Sequence, residues 1–126
     1  FIYTAPISPE LSSMLREIQA RVNEIQIAEF EPLPLSASTI NSIKTGTINI
    51  LTFFTPASVS GFVDSFIDTN NSNIPSSLAH TVIACSDPIT AYTAQKLGLK
   101  VDILTKDPSP DTMISAITTW VKKTSI

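Results

Sequence analysis

The fold of this chain is decided by the stretch INILTFFTPASV, residues 48–59. Residues 48–54 are mostly apolar and rich in β-branched and aromatic side chains, which is typical of a strand buried on both faces of a parallel sheet. Thr55 is a residue type that caps the free N–H groups of a helix, and Pro56 suits the first helical turn. The stretch therefore predicts a buried strand that turns directly into a helix.

The same design occurs three more times along the chain. Short apolar runs lead into a capping residue and a proline at Phe1–Thr4 with Ser8-Pro9, Thr81–Cys85 with Asp87-Pro88, and Val101–Leu104 with Ser109-Pro110. Strand, cap and helix repeated in this order are typical of a parallel α/β fold. From Ile25 on, the order β-α-β-α-β-α-β-α predicts a flavodoxin-like parallel sheet with helices on both faces. The segment before Ile25 adds one further strand–helix unit.

Apolar residues at helical spacing predict which side of each helix is buried. The expected stripes are Leu11, Leu15, Ile18 and Val22; Val59, Phe62, Val63, Phe66 and Ile67; and Met113, Ile117, Trp120 and Val121. A short helix capped by Ser36 or Ser38 is expected to run through Ile43 and stop at Gly46. The segment 25–30 alternates like a half-buried strand, 70–77 is expected to be a loop, and 99–104 is expected to be a strand. Gly98 is expected to end its helix in the left-handed conformation.

Composition excludes several classes of function. The chain has 126 residues, 43% of them apolar, and a net charge of −3, which argues against a broad nucleic-acid footprint. No apolar run is long enough to span a membrane. Cys85 and His80 are the only cysteine and histidine, so no intrachain disulfide and no closed zinc site is predicted, and Cys85 is expected to be a core residue. The three glycines form no dinucleotide-binding or P-loop motif.

Two strand-to-helix turns are candidates for a ligand site. They are residues 53–59 and 85–91, and both are expected at the carboxyl edge of the sheet, where open α/β folds bind ligands. Capping alone explains Thr55, Asp87 and the two prolines. The hydroxyls of Ser58 and Thr90 are not required by capping. Both interpretations therefore stay open: two structural caps, or helix N-termini that hold an anionic ligand.

At these turns the chain resembles the uroporphyrinogen-III synthase family. The family commonly shows a turn of the type F-[FT]-[ST]-P-[SA]-[SAG]-V, which Phe53–Val59 matches. Its later motifs are matched in order and spacing by Asp87-Pro88-Ile89-Thr90-Ala91, by Lys96–Ile103 and by Pro108-Ser109-Pro110. Members of the family have two α/β domains joined by crossing strands. The resemblance therefore implies the C-terminal half of a diverged member, which fits a chain that begins at Phe1 inside an apolar run.

The resemblance also implies domains, chemistry and site residues. Residues 1–24 would be the final strand–helix unit of an inserted domain, and residues 25–126 a crossover strand and most of a flavodoxin-like domain. The implied reaction closes hydroxymethylbilane, a polyanionic linear tetrapyrrole, to uroporphyrinogen III without a metal or cofactor. Thr55, Ser58, Ile89 and Thr90 would bind the substrate. A monomer is expected, in the cytoplasm, or in a plastid or mitochondrion if the source is eukaryotic.

Four positions depart from the family's pattern. The tyrosine implicated in assisting hydroxyl departure corresponds to Ala28, so no catalytic residue is assigned. Glycines correspond to Thr4 and Asp87, and the first of two threonines to Ile89. An aspartate cap repels a polyanion and occupies N–H groups that the substrate would use. Two alternatives therefore remain beside the synthase: an inactive member of the fold that binds a small anion or a protein, and an unrelated α/β domain with purely structural caps.

Overall fold

The computed structural model of the chain describes residues 2–5, 10–29, 31–70 and 78–124. Every strand in it is followed along the chain by a helix, which confirms the predicted α/β class. The elements are β1 (Ile2–Ala5), α1 (Glu10–Glu17), β2 (Ile25–Glu29), α2 (Ala37–Lys44), β3 (Ile50–Phe53), α3 (Pro56–Asn70), β4 (Val82–Cys85), α4 (Pro88–Lys96), β5 (Ile103–Leu104) and α5 (Pro110–Thr124). Contacts divide the chain into two compact units, residues 1–31 and 32–126. The assignment of residues 1–24 to an inserted domain stays a prediction.

The first unit is a β-α-β arrangement in which β1 and β2 pair in parallel. Tyr3 pairs with Gln26 and Thr4 with Ala28, so Ile27 is an extra residue that shifts the register. All five residues of β2 are exposed, so the expectation of a half-buried strand is wrong. The physical reason is size, since two strands and a two-turn helix enclose little core.

Helix α1 ends five residues earlier than the apolar stripe predicts. Gln19 adopts a left-handed conformation with φ 60°, and the N–H groups of Gln19 and Ala20 return to the carbonyls of Arg16 and Leu15 at 2.9 and 3.0 Å. This pair of bonds is a Schellman motif, which terminates a helix. The prediction of one helix with a buried stripe through Val22 is therefore wrong. Leu11 and Ile18 of that stripe are exposed on the described unit, whereas Ser12 is buried.

The second unit is built on a three-stranded parallel sheet with the order β3-β4-β5. Ile83 and Cys85 of β4 face a core that is completed by α2, α3 and α4, whereas Ala84 faces a second core completed by α5. Successive residues of a strand point to opposite faces, so the two cores lie on the two sides of the sheet. The predicted flavodoxin-like arrangement with helices on both faces is thereby confirmed.

The predicted helix stripes of this unit pack into the two cores or against them, with two qualifications. Val59, Val63 and Phe66 lie in the first core, and Met113 lies in the second. The prediction that Val121 faces inward is wrong, since 42% of the residue is exposed. Val121 lies about 100° around the helix from Trp120, outside the face that packs on the sheet. The side chain of Ile67 and the expected loop residues 71–77 lie outside the described residues, and Asn70 belongs to α3 rather than to a loop.

Caps and helix ends follow the sequence closely in α2 and α4. Ser36, rather than Ser38, caps α2 through the Thr39 N–H at 3.1 Å. Gly46 and Gly98 have φ values of 71° and 86°, as left-handed helix ends require. Within the described ranges, no helix is long and apolar enough to cross a membrane.

Strand β5 is shorter than predicted because a side chain takes over part of the strand pairing. The Asp102 carboxylate accepts the Ile83 N–H at 3.1 Å, while the Asp102 N–H donates to the Ile83 carbonyl at 2.9 Å. The same carboxylate pairs with Lys100 at 2.9 Å. Regular pairing therefore begins only at Ile103.

Candidate functional site

The two candidate turns lie side by side at the carboxyl edge of the sheet. Phe53 at the end of β3 is the register partner of Cys85 at the end of β4. One residue further on, the Ser86 N–H donates to the Phe53 carbonyl at 3.0 Å. Parallel strands end at the same edge, so helices α3 and α4 begin next to each other there. The two turns therefore form one continuous edge with two helix N-termini.

The first turn is capped by its own hydroxyls. The Thr55 hydroxyl oxygen accepts the Ser58 N–H at 3.2 Å, and the Ser58 hydroxyl donates to the Thr55 carbonyl at 2.7 Å. Both residues are exposed. Their local hydrogen bonds can be exchanged for bonds to a ligand without uncovering the core. The turn thus presents two accessible hydroxyls at the start of a 15-residue helix.

The second turn is filled by the side chain of Asp87. One carboxylate oxygen accepts the Thr90 N–H at 2.9 Å, and the other accepts the hydroxyls of Thr90 at 2.7 Å and Ser86 at 2.8 Å. Thr90 and Ser86 are both fully buried, whereas Ile89 is 71% exposed. The Thr90 hydroxyl is therefore part of the cap. The substrate-binding roles of Ile89 and Thr90 stay predictions.

These bonds stabilise the charged form of Asp87. The Thr90 N–H contributes most to a lowered pKa of this carboxyl, and the hydroxyls of Thr90 and Ser86 and the Ile89 N–H act in the same direction against a cost of burial. Asp87 is therefore an anion held at the helix N-terminus, which is where such a fold would bind an external anion. In this conformation the Asp87 carboxylate itself occupies the anion-binding position of the second turn.

A third strand end joins the same edge through Thr105, a residue that the sequence analysis did not single out. The Thr105 N–H donates to the Cys85 carbonyl at 2.9 Å, and its hydroxyl donates to the Ser86 carbonyl at 2.6 Å. Asp107 accepts the Ser109 N–H at 3.0 Å and leads the chain into α5. The signal in the sequence is the Thr105 hydroxyl directly after an apolar run, with the Asp107 carboxylate two residues later. Ser109 and Pro110 explain the helix start without either residue.

The remaining chemically active side chains lie elsewhere or are buried. Cys85 has no exposed surface, and burial, with a smaller contribution from the Asp87 charge, raises the pKa of its thiol to about 11. This confirms Cys85 as a core residue. His80 lies in the turn before β4, at the opposite end of that strand. Among the described residues, no three His, Cys, Asp or Glu side chains are grouped as a metal site.

Ala28, the position that corresponds to the family's tyrosine, lies in β2 of the first unit and is exposed. Its methyl side chain has no proton to donate. The register shift at Ile27 lies directly beside it.

Comparison with known proteins gives a family for the chain. No curated protein and no solved structure matches it. A family model described as uroporphyrinogen-III synthase HemD matches residues 1–115, which include the first unit, most of the second and all three strand ends at the carboxyl edge. The chain belongs to the uroporphyrinogen-III synthase family, whose function lies in tetrapyrrole biosynthesis.

Proposed function

We propose that this chain takes part in closing hydroxymethylbilane to uroporphyrinogen III, with loss of water and inversion of ring D. The observation that carries the proposal is the bond from the Ser86 N–H to the Phe53 carbonyl at 3.0 Å, which holds the two turns together. Family membership supports a tetrapyrrole substrate, a flexible chain of pyrroles bearing many carboxylates, and we propose that it binds at this edge. Adjacent helix N-termini are suited to binding such groups.

The first turn is the better anion site of the two. Thr55 and Ser58 are exposed and carry no charge, and the α3 N-terminus adds partial positive charge. We propose that they hold one substrate carboxylate. At the second turn, Ile89 offers an exposed apolar side chain that suits the face of a pyrrole ring. Thr90 reaches a substrate only if Asp87 moves away from it.

The chemistry proposed for the edge is ordering rather than acid–base catalysis. Ala28 provides no proton donor where the family has tyrosine, and the reaction proposed uses no metal or cofactor. Holding the two reacting ends of a flexible substrate together removes much of the entropic cost of ring closure. A monomer would suffice for this task. The proposed compartment is the cytoplasm, or a plastid or mitochondrion in a eukaryote.

A second candidate function is favoured by one observation. The Asp87 carboxylate occupies the N–H and hydroxyl groups of the second turn and carries a negative charge. A member of the family that has lost turnover, and binds a small anion or a protein through the first turn, would tolerate this occupant better than an enzyme of a polyanionic substrate.

A coupled assay distinguishes the synthase from the binding module. Hydroxymethylbilane made freshly by the preceding enzyme is supplied to the full protein, and the type III and type I porphyrins are resolved after oxidation. Predominant type III product supports the synthase. Type I product alone, which is the uncatalysed closure, overturns it in favour of the binding module.

Asp87→Asn refines the test because asparagine also caps helices but removes the charge. If the synthase proposal is right and charge repulsion limits the second turn, this variant lowers KM. Asp111→Asn removes an equal charge from the first turn of α5 and is the matched control.

A further inference from the structure

We propose that the opposite edge of the sheet holds a second binding site, for a small organic carboxylate with an apolar or aromatic body. A cavity of about 420 Å³ lies at the amino end of β4. Its walls include Leu78, His80, Thr81, Leu99, Lys100 and Trp120. Small-molecule pockets typically measure about 300–1,000 Å³, so the cavity has the size for such a ligand.

One part of the cavity is apolar. Leu78 and Leu99 are buried members of the first core, and Trp120 packs against the second. The cavity thus lies where the two cores of the sheet approach each other around the start of β4. An indole beside two leucines suits a flat or branched apolar body rather than a free inorganic anion.

The polar part of the cavity is rich in donors. The Thr81 hydroxyl is buried and has no hydrogen-bond partner among the described residues. Within that same part of the chain, no hydrogen bond engages the His80 ring or the Trp120 indole N–H. Among the described residues, the Lys100 ammonium pairs with Asp102 at 2.9 Å, and its side chain is 90% exposed, which leaves protons for another partner.

The carboxylate in the cavity wall, that of Asp102, already has hydrogen-bond partners. Asp102 receives the Ile83 N–H on one carboxylate oxygen and Lys100 on the other. Asp102 keeps its negative charge, which the Lys100 ammonium offsets, and a ligand that enters the cavity meets the unpartnered Thr81 hydroxyl. A carboxylate ligand provides the missing acceptors, and an unpartnered buried hydroxyl such as that of Thr81 calls for one.

This site is separate from the carboxyl edge. It lies at one end of β4, and Ser86 and Asp87 lie at the other. Four residues of strand span roughly 10 Å, so one small ligand does not reach both. The inference does not depend on the synthase proposal, and failure of either leaves the other standing.

The test uses Trp120, the single tryptophan of the chain, as a reporter in the cavity wall. Benzoate is titrated into the full chain while tryptophan fluorescence is followed, with uncharged benzamide as the matched ligand. We expect a saturable change with benzoate and none, or a far weaker one, with benzamide. No saturable change with benzoate, or equal binding of benzamide, would overturn the proposal.

Two variants in the cavity wall and one control variant locate the binding. Lys100→Gln is expected to weaken benzoate binding roughly fivefold, the scale of one exposed charge contact, whereas Lys122→Gln, on the same helix as the reporter but outside the cavity, leaves it unchanged. Thr81→Val should weaken binding without lowering the thermal midpoint, because the hydroxyl has no partner to lose. Equal binding by all three variants would place benzoate elsewhere and contradict the assignment.

Discussion

The carboxylate of Asp87 holds Thr90 by two bonds at once, from its N–H at 2.9 Å and from its hydroxyl at 2.7 Å. Thr90, which the sequence analysis predicts to bind the substrate, is therefore already hydrogen-bonded within the protein. The same arrangement makes the second turn a well-formed cap. Stability and ligand binding therefore draw on the same N–H and hydroxyl groups, which gives Asp87 two measurable effects.

The first prediction concerns the stability of the protein as a function of pH. The folded protein lowers the pKa of Asp87 below its ordinary value of 3.8. Its contribution is therefore fully present above that value and is lost as pH falls through the lower, folded-state pKa. Asp87→Asn should reduce the free energy of unfolding by about 1 kcal/mol near neutral pH, because the amide nitrogen cannot accept the two hydroxyls. The difference from wild type should shrink in acid.

Urea unfolding of both proteins across this pH range measures the difference. Asp111→Asn corrects for the general effect of removing one acidic charge. A difference that stays constant down to the most acidic pH would show that the Asp87 charge contributes nothing to the cap.

The second prediction concerns Cys85. Burial first, and the Asp87 charge second, raise the pKa of its thiol to about 11, and the side chain has no exposed surface. The reactive thiolate is therefore scarce and inaccessible. Iodoacetamide at about pH 8 should leave Cys85 unmodified in the folded chain and label it fully in urea.

Mass spectrometry of the treated chain reads out the labelling. Asp87→Asn should stay protected as well, since burial is the larger cause. Rapid stoichiometric labelling of the folded wild type would contradict the described packing of β4.

The third prediction compares two helix ends with the same backbone conformation. Gln19 and Gly98 have φ values of 60° and 86°, and each ends a helix with a Schellman pair of bonds. Gln19→Gly should raise stability by about 0.5–1 kcal/mol, since glycine adopts this conformation freely. Gly98→Ala should lower stability by about 1 kcal/mol through backbone strain alone, because an added Cβ meets nothing within 4 Å.

Chemical denaturation shows whether each of the two variants raises or lowers the free energy of unfolding. Ser13→Gly, at an exposed position inside α1, controls for the general cost of glycine and should destabilise. Stabilisation by Gly98→Ala, or destabilisation by Gln19→Gly, would contradict the assigned conformations.

The second unit could be predicted from sequence because its local signals agree with one another. Apolar runs, caps, prolines and helical spacing all indicate the same α/β order, and Gly46 and Gly98 mark helix ends. Two features, one in each unit, were not predictable in this way. In the first unit, the residues around Gln19 do not indicate that it adopts a left-handed conformation. In the second unit, the Asp102 carboxylate replaces strand pairing by a contact that only the folded chain reveals.

The candidate site was predictable in its location but not in its internal bonding. Two strand ends that turn into helices must meet at one edge, and they do, through Ser86 and Phe53. Sequence spacing also put Thr90 one turn inside the helix. It could not tell that its hydroxyl turns back to Asp87, because a cap and a ligand group use the same residue types at the same positions.

The most direct test of the central claim measures the activity of variants at the carboxyl edge of the sheet. Product isomers are resolved in the coupled assay for wild type, Thr55→Val and Thr55→Ser, with folding of each checked by its unfolding midpoint. We predict mainly type III product from wild type and from Thr55→Ser, which keeps the hydroxyl, and a shift towards type I from Thr55→Val. Type I product from all three proteins, or type III undiminished in a folded Thr55→Val, would contradict a synthase that works through this turn.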